Sequence, residues 1–334
     1  MSIRRVWQIA RLDMIHNAGR FFFWFWLAII VFMTWGLSSG NTRMASGDAS
    51  VGGTEAWLTS EFSVGMQLSM LVLLIYGFFV AVAAGMTVIR DGEIGIGELL
   101  HSTPLRAGEY VWGRFLAVTA CFLAILLVHV LCMIVIYHGL GRASMDDMRG
   151  PFHLVNYIRP AVVFGVPTIV FIAGTSFAVG ALTRKPILVF LLPVALIIGC
   201  GFFLWNWSPS WLDPRINRLL MFIDPGGFRW LNETWLKVDR GVDFYNKAPM
   251  SFDGLFIANR LVLLGLGLGA VALTQWRFAR ALRGAKHGVM TTVASGIQPE
   301  PAQPAATPRP ISELRGAVRP PGFVRGTLSV PRFE

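Results

Sequence analysis

Apolar and polar positions in this chain alternate on the scale of whole membrane crossings. Residues 21–39, FFFWFWLAIIVFMTWGLSS, run for about 19 positions without a charge and are edged by Trp24, Trp26 and Trp35. Four more uncharged runs cover 62–89, 115–141, 160–183 and 186–212, and a sixth, 254–276, carries one charge, Arg260, near its start. A helix needs about 20 apolar residues to cross a hydrocarbon core, and tryptophan gathers at the membrane–water boundary. The pattern predicts an all-α integral membrane protein with six transmembrane helices inside residues 21–286.

Shorter periods appear outside those runs. Residues 1–20 predict an amphipathic helix lying in the interface. Ile3, Val6, Trp7, Ala10 and Met14 share one face, Arg4, Arg5, Gln8 and Arg11 fall largely elsewhere, and Ile9 and Leu12 project from the more polar side. A cleavable signal peptide would have a shorter apolar region followed by a small-residue cleavage site, so the 21–39 run is read as a retained span. Between the fifth and sixth runs, a large external loop of about 207–253 holds Phe222, Phe228, Trp230, Trp235, Phe244 and Tyr245, a content expected of a packed loop with short amphipathic helices. Residues 287–334 turn to Pro, Ala, Thr and Arg, too little apolar surface to offset the entropy of ordering, and predict a disordered tail.

Composition agrees with the pattern. The chain is 54% hydrophobic and 14% charged, with a mean hydropathy of +0.57, where a soluble domain carries about 25% charged residues. The formal charge of +10 gathers at the edges of apolar runs and in the tail, which fits anionic lipid better than nucleic acid. Cys121, Cys132 and Cys200 all lie inside apolar runs and read as small core residues. Lys and Arg in the short flanks (Arg4, Arg5, Arg11, Arg20; Arg90, Arg106, Arg114; Arg184, Lys185; Arg277, Arg280, Arg283, Lys286) favour a cytoplasmic N-terminus and C-terminus.

Enzymatic motifs are missing. No run matches the P-loop pattern, whose glycines and lysine cradle phosphate, and no HExxH or comparable histidine spacing marks a zinc site. His129 lies within the third run, where an ionisable group is a functional candidate, against the reading of a neutral histidine hydrogen-bonded to a neighbouring helix. Every Asp and Glu lies outside the centre of the runs, which disfavours ion-coupled transport. Gly265, Gly267 and Gly269 would let another helix approach the last span closely, within the chain or across a subunit interface.

Charge and glycine concentrate in VIRDGEIGIGELLHSTPLRAGEYVWGR, residues 88–114. The stretch predicts a short helix with Ile94, Ile96, Leu99 and Leu100 as apolar contacts, ending near Thr103–Pro104. A solvated connector and a docking surface both fit that reading. The order Arg-Asp-x-Glu (90–93), Glu-Leu-Leu (98–100), Ser-Thr-Pro (102–104) and Glu-Tyr-x-x-Gly-Arg (109–114) resembles the segment between the second and third spans of ABC-2 type transporter permeases. FIDPGGF (222–228) and FDGLFIANRLVLLGLGLG (252–269) resemble, more narrowly, the permease subfamily fused to or found beside zinc aminopeptidase domains. The resemblance covers about residues 1–285, and the Pro-rich tail carries no peptidase signature.

The resemblance implies a dimeric exporter permease of the bacterial inner membrane, homo- or heterodimeric, driven by a separate ABC ATPase subunit. This chain would be no enzyme and would hold no cofactor, because ATP and Mg would be bound by that ATPase. Arg90, Asp91, Glu93, Glu98, Leu99 and Leu100 would form the coupling set on which it docks. A peptidase is the further partner that the narrower resemblance raises. The rival expectation from a different class is a membrane scaffold without transport, recruiting a partner such as a peptidase through its outer loop or tail.

Overall fold

The structure, a computed structural model, describes residues 2–19, 21–38, 57–93, 106–140, 148–209 and 211–294. It divides into two units, Met1–Gly284 and Ala285–Glu334. Among the described residues the only regular structure is helical. In the first unit, α1 (Ile3–Ala18) and α2 (Phe21–Ser38) precede four long helices: α3 (Glu61–Asp91), α4 (Ala107–Gly139), α5 (Val155–Thr183) and α6 (Pro186–Leu204). Three short helices follow, α7 (Pro214–Ile223), α8 (Phe228–Leu231) and α9 (Val242–Lys247), and then α10 (Gly254–Arg280). Among the described residues, five helices are long and apolar enough to cross a membrane, and α1 with α2 pass only together, as a pair bent by 68°. The described residues are those of a multi-pass, all-helical membrane protein with five such helices, or six candidate spans if the bent pair is one.

Helix boundaries depart from the apolar runs where charges find partners. α4 begins at Ala107, ahead of the uncharged run that starts at 115, because Glu109 accepts a hydrogen bond from the Arg106 N–H at 3.2 Å and caps the first turn. α6 ends at Leu204, and Trp205 turns into the following loop. Arg184, at φ 52°, closes α5 in the left-handed conformation, and Pro186 opens α6 at a position that needs no N–H. Of the second unit, residues 285–294 are helical. The greater part of the expected tail, 287–334, lies outside the described residues.

In α1, Ile3 and Trp7 are exposed, and the inward line is Val6, Ile9, Ala10 and Asp13, with the Ile9 side chain seated where a Cβ on Gly113 of α4 would stand. A tertiary partner on α4 decided which side of the helix faces in. In the bundle, a Cβ on Gly180 of α5 would stand 2.4 Å from the Gly85 carbonyl oxygen of α3, and one on Gly174 of α5 would stand 2.1 Å from that of Gly267 of α10. Only glycine permits backbones to meet this closely. Gly267 therefore packs inside the chain, whereas Gly265 and Gly269 meet nothing within 4 Å.

Candidate functional site

At the end of the bundle where α1 lies, one guanidinium ties α1 to the two helices that the 92–106 connector joins. Arg114 of α4 donates from Nη1 to both carboxylate oxygens of Asp13 in α1, at 2.6 Å each, and from Nη2 to Asp91 Oδ1 in α3 at 2.9 Å. The Tyr110 hydroxyl donates to the other Asp91 oxygen. One turn earlier on α4, Glu109 accepts from the Ser2 N–H at 2.7 Å and faces Arg5 at 3.5 Å. Trp112 Nε1 donates to Gln275 Oε1 of α10 at 2.5 Å, and the Tyr110 ring stacks on Phe278 with centroids 5.9 Å apart. Four helices thus meet at a six-residue stretch of α4, Glu109–Arg114.

The expected coupling set divides here. Asp91 is buried and engaged by Arg114 and Tyr110, so its carboxylate is a structural tie between α3 and α4. Arg90 is exposed. Glu93 ends the helical backbone that continues from α3, and Glu98, Leu99 and Leu100 lie outside the described residues. Sequence reasoning missed Asp13, Tyr110 and Arg114 as one cluster. The available signal was the placement of an arginine and two aspartates beside apolar runs, where an unpaired charge is costly.

Within the bundle, polar groups pair beside π-helical turns. Tyr76, at the end of the turn Val72–Tyr76, meets His129 Nδ1 at 3.1 Å. Tyr137, inside the turn Val135–Gly139, donates to Gln67 Oε1 at 2.7 Å, and His138 Nε2 meets the Tyr157 hydroxyl at 2.9 Å. Such turns widen a helix by one residue and re-aim its side chains. His129 is buried and tied to a neighbouring helix by this bond.

At the opposite end, the loop subdomain is latched by the turn Asp224-Pro225-Gly226-Gly227. Asp224 is fully buried and accepts from the Gly226 and Arg229 N–H groups at 3.0 and 2.8 Å and from Trp205 Nε1 at 3.1 Å. Burial pushes its carboxyl above the usual range, and those donors together with Arg260 oppose the push. Gly227 takes φ 76°, and Arg260 of α10 donates to the Asp224 and Pro225 carbonyls at 3.2 Å each. Both terminal nitrogens of the one charge in the last apolar run thereby donate to turn carbonyls. Glu61, at the start of α3, joins this end by accepting from the Met250 N–H at 2.8 Å and pairing with Arg159 of α5 at 3.3 Å.

Among the described residues, no three His, Cys, Asp or Glu side chains are placed to hold a metal ion. What the geometry offers is mechanical: two latched ends joined by closely packed helices. The sequence matches no protein-family model and no curated protein.

Proposed function

We propose that the chain is the membrane-spanning permease subunit of an ATP-binding-cassette exporter, dimeric, with six spans and both termini in the cytoplasm. The observation that carries this reading is the Asp13–Arg114–Asp91 cluster. It ties α1 to α3 and α4, the two helices that the 92–106 connector joins, so that a push on the connector is delivered to α1, α3 and α4 at once. The reading is further supported by the order of Glu98, Leu99, Leu100 and Ser102–Pro104 in that connector, which resembles the coupling segment of ABC-2 type permeases. A separate ATPase docking there would drive the spans between inward- and outward-facing states.

The test is affinity purification of the full tagged chain from its native membrane, with identification of co-purifying proteins and assay of ATP hydrolysis. A stoichiometric P-loop protein whose hydrolysis rises in the presence of this chain is the expected result. Reproducible recovery of a peptidase without any P-loop protein would replace the transporter reading with the scaffold.

A further inference from the structure

A cavity of about 410 Å³ opens beside the α1 end of the bundle, between α2, α3 and α4. That lies within the roughly 300–1,000 Å³ range of ligand pockets. Its wall is apolar along most of its length, from Phe23 and Trp26 of α2 and Val118, Phe122 and Ile125 of α4. At its polar edge stand Arg90, Asn17 and Thr87. The Thr87 hydroxyl is satisfied by the Ala83 carbonyl at 2.7 Å. Among the described residues, neither the Arg90 guanidinium nor the Asn17 amide has a hydrogen-bond or ion-pair partner. The neighbouring acid does not neutralise Arg90, because Asp91 is turned to Arg114. Arg4 and Arg11, exposed on α1, add positive charge to the same end.

We propose that this cavity is a binding site for one anionic phospholipid, its acyl chain along the Phe23–Trp26–Phe122 wall and its phosphate against Arg90, with the Asn17 amide as a second donor. A cation at the edge of an apolar slot between membrane helices, at the level where a helix begins to leave the hydrocarbon, matches a lipid phosphate in charge and in depth. A zwitterionic lipid would bring its own cation beside the phosphate and weaken the attraction to the guanidinium, and a soluble anion would leave the apolar slot unfilled. The site stands whether or not the chain is a transporter.

The experiment uses the full chain, delipidated in a neutral detergent and titrated with dioleoyl phosphatidylglycerol or dioleoyl phosphatidylcholine, with bound lipid counted by native mass spectrometry. One phosphatidylglycerol should bind about fivefold more tightly than phosphatidylcholine, the contribution of one cation near an anionic headgroup. Arg90→Gln, at an exposed position that leaves the core intact, should abolish that preference. Ala83→Phe, which fills the slot, should lower occupancy by both lipids. Retained preference in Arg90→Gln, or an unchanged first-lipid occupancy in Ala83→Phe, would overturn the site. Displacement of the phospholipid by millimolar inorganic phosphate would overturn the lipid assignment in favour of a free-anion site.

Discussion

Arg114 and Asp13 stand 101 residues apart in the chain, and the guanidinium reaches both oxygens of that carboxylate at 2.6 Å. The same guanidinium holds Asp91, so α1 is fixed to the bundle through a charge that α3 also uses. Arg114→Ala would leave two carboxylates facing each other at a site where the side chains are only about a fifth exposed. Removing one partner of a buried pair costs about 3–5 kcal/mol, and partial exposure here places the expected loss at about 2–3 kcal/mol. Thermal unfolding in detergent should show that loss, and α1 should become sensitive to limited proteolysis. Wild-type protection of α1 in the variant would mean that Val6, Ile9 and Ala10, with the Ser2 and Arg5 contacts to Glu109, hold the helix without Arg114.

Glycines that the sequence presents as equivalent separate by what they touch. A Cβ on Gly180 meets backbone of α3 at 2.4 Å, which cannot move as a side chain can. Gly180→Ala should cost toward the upper end of the about 1–3 kcal/mol typical of overpacking. Gly265→Ala and Gly269→Ala meet no atom of the chain within 4 Å, and each should stabilise α10 by about 0.5–1 kcal/mol, because alanine loses less backbone entropy in a helix. Melting temperatures of the three variants give the test. A large loss at Gly265 would show that α10 is packed on that side in the assembled protein.

The apolar runs placed the long helices because burial in hydrocarbon demands length and the absence of charge, both local properties. The ends of those helices and the polar clusters depend on non-local pairings. Glu109 and Arg114 look like connector residues until Ser2, Arg5, Asp13 and Asp91 are known to surround them. Which part of the α1 stripe packs against the bundle was not legible, because it depends on Gly113, on another helix, making room for Ile9. Arg260 likewise reads as a flaw in a span, and only the folded turn at Asp224–Gly227 supplies its acceptors. The motif FIDPGGF was visible, but its latch was not, since Trp205 and Arg260 come from distant segments.

Acid should loosen the loop subdomain. Burial disfavours ionisation of Glu233, yet hydrogen bonds from Ser208, Lys237 and Asn217 hold its carboxyl below the usual range. A carboxylate lowered by folding stabilises the fold fully above its unfolded pKa, about 4.3, and loses that contribution as pH falls through the lower folded value. Tryptophan emission from the loop, where Trp207 and Trp235 lie, should therefore shift below about pH 4. Glu233→Gln should lower stability at neutral pH and flatten the acid limb. An acid limb of the same height in wild type and variant would assign the transition to another carboxylate.

Docking and transmission should be separable if the chain is a permease. Leu99 and Leu100 would supply the apolar anchors for an ATPase, and buried anchors carry most of an interface's energy, whereas rim charges such as Glu98 set register and steering. The double change Leu99→Ala with Leu100→Ala should weaken ATPase association by about 2–4 kcal/mol, while membrane insertion and permease dimerisation persist. Arg114→Lys acts elsewhere. Lysine keeps the charge but cannot bridge Asp13 and Asp91 with a planar fork, so the ATPase should still bind while the push on the connector reaches α1 and α3 poorly. Co-purification should therefore fall in the leucine variant and hold in Arg114→Lys, and permease-stimulated ATP hydrolysis should fall in both. Equal stimulation in wild type and Arg114→Lys would remove the cluster from the transmission path, and full ATPase recovery with the leucine variant would reduce the connector to a solvated link.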